Sequence, residues 1–537
     1  MNADLRPAAG LARRRFLTLT GAATAVAFGA NLPGSASAYR GGGRLDADPF
    51  TLGVASGDPL PDAVVIWTRL APRPFEPLGG APYRPVEVEW QVADDERFRR
   101  VVRAGRAQAR PEYSHSVHVD VRGLRPGRHY WYRFKAGGYL SPTGRTRTAP
   151  AAGQRVDRLT IAMGSCQSWP DGYYTAHRHL AAEDVDAVVF LGDYLYEYGI
   201  AAAGGLRAVT DPVPSQFRTE ADTLDRYRLQ YALYKSDPDL QAAHAAAPWI
   251  VTWDDHEVQD NYAGEVSKSN APVLDFLVRR ANAYRAYWEH MPLRAPAPRG
   301  PNYMLYRRLT FGRLAEINVL DTRQYRSDQA SGDGWRADSD ARRDPGRSLA
   351  GAQQERWLLD GLTGSHATWN LLANQVIMSR MDLDPTPADL YNMDAWDGYA
   401  AQQRRLLDGL AAQRHRNPVV LTGDVHAAYA MDMKTDFADP GSTSFGVELV
   451  ATSISSGGNG TDVSATGRAF LAANPHLKLV DERRGYTVLR LTEGEMRVDY
   501  RAVPYIDRTG APVATVASFV VEAGNPGLNP VGQEATR

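Results

Sequence analysis

Several short apolar runs in this chain end in residues that can do chemistry. Leu159–Met163 runs into Gly164-Ser165-Cys166, and Ala187–Leu191 runs into Gly192-Asp193-Tyr194-Leu195-Tyr196. Trp249–Trp253 ends in Asp254-Asp255-His256-Glu257, Leu371–Ala373 in Asn374-Gln375, and Val419–Leu421 in Thr422-Gly423-Asp424-Val425-His426. Gly192 and Gly423 precede aspartates, where glycine lets the backbone turn sharply at a sheet edge. Oxygen donors with one thiolate, one phenolate and imidazole make a metal site by composition. Taken singly, each residue has a plainer reading. A buried cysteine behaves as a small hydrophobe, an aspartate after a strand caps a helix, and a tyrosine fills a core. Their recurrence at successive run ends favours a metal centre.

These positions need a sheet to gather them. Alternating strand-like runs and helical stretches (175–183, 221–246, 271–290, 351–362 and 400–415) predict an α/β domain over 156–503. In such a sheet, ligands collect at the carboxyl ends of strands. Residues 49–148 read differently. Short alternating segments such as Val86–Trp90 and Val117–Val121, separated by Gly and Pro turns, predict a small β-sandwich within 39–150. Residues 485–503 return to β, and the Gly/Pro-rich stretch 504–537 reads as a C-terminal tail without assigned structure.

Residues 1–38 read as an export signal. Arg13-Arg14-Arg15-Phe16-Leu17 precedes an apolar Ala/Gly-rich stretch, and Ser35-Ala36-Ser37-Ala38 fits a small-residue cleavage site. The paired arginines match the twin-arginine variant, so the export partner is the twin-arginine machinery. The destination is extracellular, periplasmic or cell-surface. No later segment offers about 20 apolar residues, so a soluble mature chain without a membrane span is expected. The 537 residues carry 61 basic and 62 acidic side chains with no charge run, so no nucleic-acid surface is implied. Cys166 stands alone, which excludes an internal disulfide framework.

The order GSC…GDYLY…WDDHE…NQ…GDVH resembles the PhoD family of alkaline phosphatases and phosphodiesterases, within the metallophosphoesterase fold. The phrases Phe50–Asp58, Leu320–Tyr325, Trp396–Tyr399 and Ala451–Ser456 strengthen the likeness, which runs from about residue 49 to 500. It implies a fibronectin-like all-β sandwich, then a two-sheet α/β sandwich flanked by helices. Against most metallophosphoesterases, Cys166 stands where Asp-x-His would be and Tyr196 replaces the second Asp of Asp-x-x-Asp. Asp255 replaces an Asn, and Asp424 replaces a His. The resemblance implies Fe3+ held by Cys166, Asp193, Tyr196 and His426. It also implies Ca2+ held by a bridging Asp193 with Asp255, Asn374 and Asp424.

The reaction so implied is hydrolysis of a small-molecule or lipid phosphate ester by a metal-bound hydroxide. His256 would contact the phosphate oxygens or protonate the leaving alcohol. Arg323 and Arg380 follow strands and suit either phosphate binding or ion pairing. A monoesterase, a diesterase and a phospholipase D-type enzyme share this machinery. Two other readings use the same residues: a secreted binding protein with a structural metal, and a cysteine hydrolase built on Cys166.

Overall fold

The computed structural model describes residues 45–201, 205–383, 386 and 389–532. The export-signal reading of 1–38 lies outside the described residues. Two large sheets face one another. A ten-stranded sheet includes the parallel strands Leu159–Gly164, Ala187–Leu191 and Trp249–Thr252 at its centre. A seven-stranded sheet includes the parallel strands Ala315–Val319, Trp369–Ala373, Pro418–Thr422 and Ser444–Val450. Parallel strands need crossovers and are covered on both faces, which is why they read as mostly apolar runs, with Glu316, Asn318, Asn370 and Glu448 as buried polar exceptions.

The main core lies between the sheets. Ile161, Met163, Val189 and Leu191 of one meet Ile317, Leu371, Val419, Leu421 and Leu449 of the other. Burying such a side chain is worth about 1.5–3 kcal/mol, so this layer is what holds the sheets together. Each outer face is covered by helices. Tyr227, Tyr231, Tyr284 and Tyr287 pack with Val188, Phe190 and Trp249 on the ten-stranded sheet. Leu358 and Leu362 of Gly351–Gly364, with Leu406 and Leu410 of Ala400–Ala412, pack with Leu372 and Val420 on the other.

The single helix expected over 221–246 is two helices, Leu224–Lys235 and Pro238–Ala246. Pro238 has no N–H to donate and starts the second helix. Asp237 caps it, its Oδ1 accepting from the N–H groups of Asp239 at 2.9 Å and Leu240 at 3.1 Å.

The N-terminal part is all-β and two-layered. Strands Val86–Ala93, Val101–Ala109, His129–Ala136, Tyr139–Leu140 and Gly144–Arg147 form one layer. The other layer, Val54–Leu60, Ala63–Arg69 and Ser116–Arg122, is the end of the ten-stranded sheet, joined where Gly57 pairs in parallel with Trp249. The sheet therefore continues across the stretch 148–155 that sequence marks as a boundary. At the opposite edge, residues 504–532 contain further strands. Ala514–Glu522 and Asn525–Pro530 add two antiparallel strands beyond Glu495–Val503. Among the described residues, no helix is long and apolar enough to cross a membrane.

Candidate metal centre

Several of the strand-end residues lie close together. Cys166 Sγ lies 3.4 Å from Asp193 Oδ2, and the Tyr196 hydroxyl lies 3.2 Å from the same oxygen. Tyr196 also sits 2.9 Å from Nε2 of His426. One donor atom from each of Cys166, Asp193 and His426 falls within 4.8 Å of the others, and so does one from each of Asp193, Asp254 and Asp255. Asp193 belongs to both groups. Tyr194, two positions before Tyr196, points into the core, where its hydroxyl meets His244 at 2.7 Å.

The backbone bends hard to achieve this. Cys166 (φ +58°), Asp193 (φ +53°), Asp424 (φ +64°) and His426 (φ +60°) are all left-handed. That region costs a residue with a Cβ roughly 1–2 kcal/mol, and such strain gathers at functional sites. Glu257 holds two of the turns in place. Its buried carboxylate accepts the N–H groups of Asp193 at 3.1 Å, Tyr194 at 2.5 Å and Asp254 at 2.8 Å. The turn after Leu159–Gly164 is braced by the loop Ser453–Ser456, whose Ser455 and Ser456 N–H groups both donate to the Cys166 carbonyl at 3.3 Å.

Charge is crowded. Burial, then neighbouring carboxylates, push the Asp193 carboxyl well above its usual range. Burial and Asp193 push the Cys166 thiol up in the same way. Asp193 Oδ1 and Asp254 Oδ2 are buried without a hydrogen-bond partner. Buried polar atoms are rarely left so, and a cation satisfies them and favours the anionic forms of thiol, phenol and carboxyl together. The donor set fits a metal: Asp193 groups with sulfur and imidazole, with a phenolic oxygen beside them, and also with two further carboxylates.

Arg323 supplies the positive charge that the chain itself offers. It is fully buried, with Nε 2.5 Å from Asp254, Nη2 3.1 Å from Asp255 and Nη1 2.8 Å from Asp394. Nε and Nη1 donate to Asp254 and Asp394, while Nη2 is ion-paired with Asp255 but makes no hydrogen bond among the described residues, so of its two sequence readings the structure favours ion pairing. Arg380 likewise stacks on Tyr391 and lies 3.6 Å from Asp397. Burial opposes charge on Asp255, but Arg323 and His256 outweigh it and hold the carboxyl low.

His256 sits beside this cluster. Its Nδ1 is 2.7 Å from Glu197, its Nε2 3.8 Å from Asp255 Oδ2, and its ring lies 4.1 Å from that of Tyr196. Burial works against its charged form, yet Asp255, Glu197 and Asp193 raise its pKa well above the ordinary value. Asn374 is buried at the end of its strand. Its Nδ2 donates to the Val376 carbonyl at 2.5 Å, and its Oδ1 accepts from the Trp396 indole at 3.1 Å. Only a remaining lone pair of that oxygen is open to an ion. Asp424 lies 3.9 Å from Arg323 Nη2, with 30 % of its side chain exposed.

Glu197, Glu257 and Arg323 carry much of the geometry; sequence reading gives the two glutamates no place in it and leaves Arg323 between phosphate binding and ion pairing. Glu257 closes the quoted Asp-Asp-His-Glu run, which is the one local signal; the roles of all three depend on partners distant in the chain.

Residues 161–500 match the PhoD-like phosphatase family, and residues 35–150 match its N-terminal domain. The chain belongs to the PhoD-like phosphatase family. It is 46% identical to alkaline phosphatase D of Bacillus subtilis (strain 168) over 526 residues, covering 97% of this chain and 89% of that protein. A solved structure described as that of PhoD superposes with a TM-score of 0.88 at 47% identity, covering 92% of this chain and 94% of the other. The likeness carries both the two-sheet fold with its all-β N-terminal part and the enzyme class, phosphoric ester hydrolase.

Proposed function

We propose that this chain is an exported, metal-dependent alkaline phosphatase with phosphodiesterase capacity. The observation that carries the metal reading is the meeting of Cys166 and Tyr196 at Asp193 Oδ2 with His426 beside Tyr196, while Asp193 Oδ1 is buried without a partner and Asp193 also groups with Asp254 and Asp255. Cys166, Asp193, Tyr196 and His426 would hold Fe3+. Asp193, Asp255, Asp424 and Asn374 would hold Ca2+, the all-oxygen half suiting a hard cation. Bound there, the pair supplies Lewis acidity to the phosphoryl oxygens and a water of lowered pKa.

The chain's own residues do the rest. Asp193 and Asp255 set where the phosphate group must lie. His256, raised in pKa and with Nε2 turned to the site, is placed to hydrogen-bond a phosphoryl oxygen and to give its proton to the departing alcohol. Export by the twin-arginine route is supported by the Arg-Arg-Arg-Phe-Leu start and would carry the folded, loaded protein outward.

The test joins metal content to rate. Purified protein is expected to contain iron and calcium, to show a visible tyrosinate–iron band, and to lose activity to a chelator but not to a thiol alkylator. Asp193→Ala and Asp424→Ala are each expected to abolish hydrolysis; retained hydrolysis in either refutes the assignment. Comparing bis-p-nitrophenyl phosphate with p-nitrophenyl phosphate separates diesterase from monoesterase preference.

A further inference from the structure

Glu197 follows Tyr196 directly, is fully buried, and lies outside both donor groups of the candidate metal centre. Both of its carboxylate oxygens are used. Oε1 accepts the Asp260 N–H at 2.7 Å, and Oε2 lies 2.7 Å from His256 Nδ1. A carboxylate that accepts at one oxygen from a backbone N–H and meets an imidazole at the other can only accept there too, so the proton of that contact sits on Nδ1. This fixes the imidazole. Its face lies on the Tyr196 ring at 4.1 Å, its edge meets Tyr198 at 5.3 Å, and Nε2 is left toward Asp255 and the metal centre.

We propose that Glu197 is a positioning residue of the hydrolysis, which locks the orientation and tautomer of His256 so that Nε2 alone faces the phosphate ester. This rests on the reading that His256 touches substrate. The anchored Oε1 gives the carboxylate no freedom to follow a rotating ring, so the ring is held by a rigid group. A carboxylate so placed orients the ring: each oxygen already accepts one hydrogen bond, and Glu197 belongs to no donor group of the centre.

The test is a double-mutant cycle on the metal-loaded enzyme, with Glu197→Gln, His256→Ala and the pair, reading kcat, KM and metal content. Glu197→Gln is expected to lower kcat about 10²-fold with KM and metal content kept, which is within the range that acid–base assistance supplies. In the His256→Ala background the same substitution is expected to change nothing further, since interacting groups are non-additive. An equal loss in that background, or loss of metal with Glu197→Gln alone, overturns the proposal. A silent His256→Ala overturns the underlying reading of His256 and the proposal with it, and the first step of the cycle separates these failures. If Glu197→Gln does not fold, Glu197→Asp keeps the charge with one methylene less reach. It enters the same cycle, with a smaller loss expected beside His256 and none in its absence.

Discussion

Replacing Arg323 by methionine tests whether the acidic side of the site is built on a buried cation. Arg323 is fully buried and contacts Asp254, Asp255 and Asp394 at 2.5, 3.1 and 2.8 Å. Methionine fills a similar volume but leaves buried Asp254 without a cationic partner among the described residues, while Asp394 keeps Arg326 at 2.6 Å and Asp255 keeps His256. Removing one partner of a buried pair costs about 3–5 kcal/mol, because the uncompensated charge remains in place. The described residues lie between 45 and 532. At about 2 cal/mol/K per residue their unfolding entropy is on the order of 1 kcal/mol/K, so the cost translates to a Tm lowered by about 3–5 °C. The assay is differential scanning calorimetry with metal present at equal concentration for both proteins, alongside steady-state kinetics. If Arg323 instead bound the substrate phosphate, Tm would hold and KM would rise about tenfold or more. An unchanged Tm with a raised KM refutes the ion-pair reasoning outright.

Other outcomes follow from single contacts. Tyr196→Phe removes the phenolate and is expected to bleach the visible band; an active, colourless, zinc-only wild-type protein would sink the iron assignment. Asp237→Ala strips both the helix cap and the buried partner of Arg207 at 2.7 Å, and should cost about 3 kcal/mol or more by denaturant titration. His476 is buried, and burial pulls its pKa down to about 4. The unfolded chain takes up that proton near pH 6.5, and the folded chain resists until about pH 4. Its contribution is therefore whole above pH 6.5 and is lost on acidification toward pH 4, by on the order of 3 kcal/mol. A His476→Gln variant should show a flatter Tm-against-pH curve in that window; a parallel curve would count against it.

The strands that build the centre were legible because parallel strands covered on both faces must be mostly apolar. Ala187–Leu191 is the strand itself, and Pro418–Thr422 extends the run Val419–Leu421 by one residue at each end. The gathering of Cys166, Asp193 and Tyr196 was legible for a related reason: each follows such a run, and a sheet aligns the ends of its parallel strands. His426 instead follows a strand of the facing sheet and reaches them through the packing of the two sheets. Where a role depends on a distant partner the pattern is silent. Nothing near Arg323 announces Asp254 or Asp394, and nothing near Glu197 announces His256. The joining of the N-terminal layer to the central sheet rests on Gly57 opposite Trp249, a pairing that leaves no periodic trace. A Cβ on Gly57 would fall 2.5 Å from the Pro292 carbonyl and 2.7 Å from that of Trp249, so close approach requires glycine there. The Asp237-Pro238 break was readable in principle, since proline ends one helix and can open the next.

The left-handed turns explain why so much second-layer structure surrounds so few donors. Four donors adopt a conformation that disfavours side chains, and their acidic groups repel one another in a buried space. Neither condition favours folding, so both must be offset by fixed partners. Glu257 does this for the turns after Leu191 and Thr252 through three backbone N–H groups. The Ser453–Ser456 loop does it for Cys166, and Arg323 does it for the carboxylates. Fixed partners of this kind reduce the ordering that ligand binding must otherwise meet. The same rigidity predicts where the site will fail. Glu257→Ala removes no proposed ligand, yet it releases Asp193 and Asp254 together. It should lower metal retention on dialysis at least as much as Asn374→Ala, whose amide is already committed to Val376 and Trp396. Loss of metal from Asn374→Ala but not from Glu257→Ala would show that direct ligation, rather than fixed turns, governs retention.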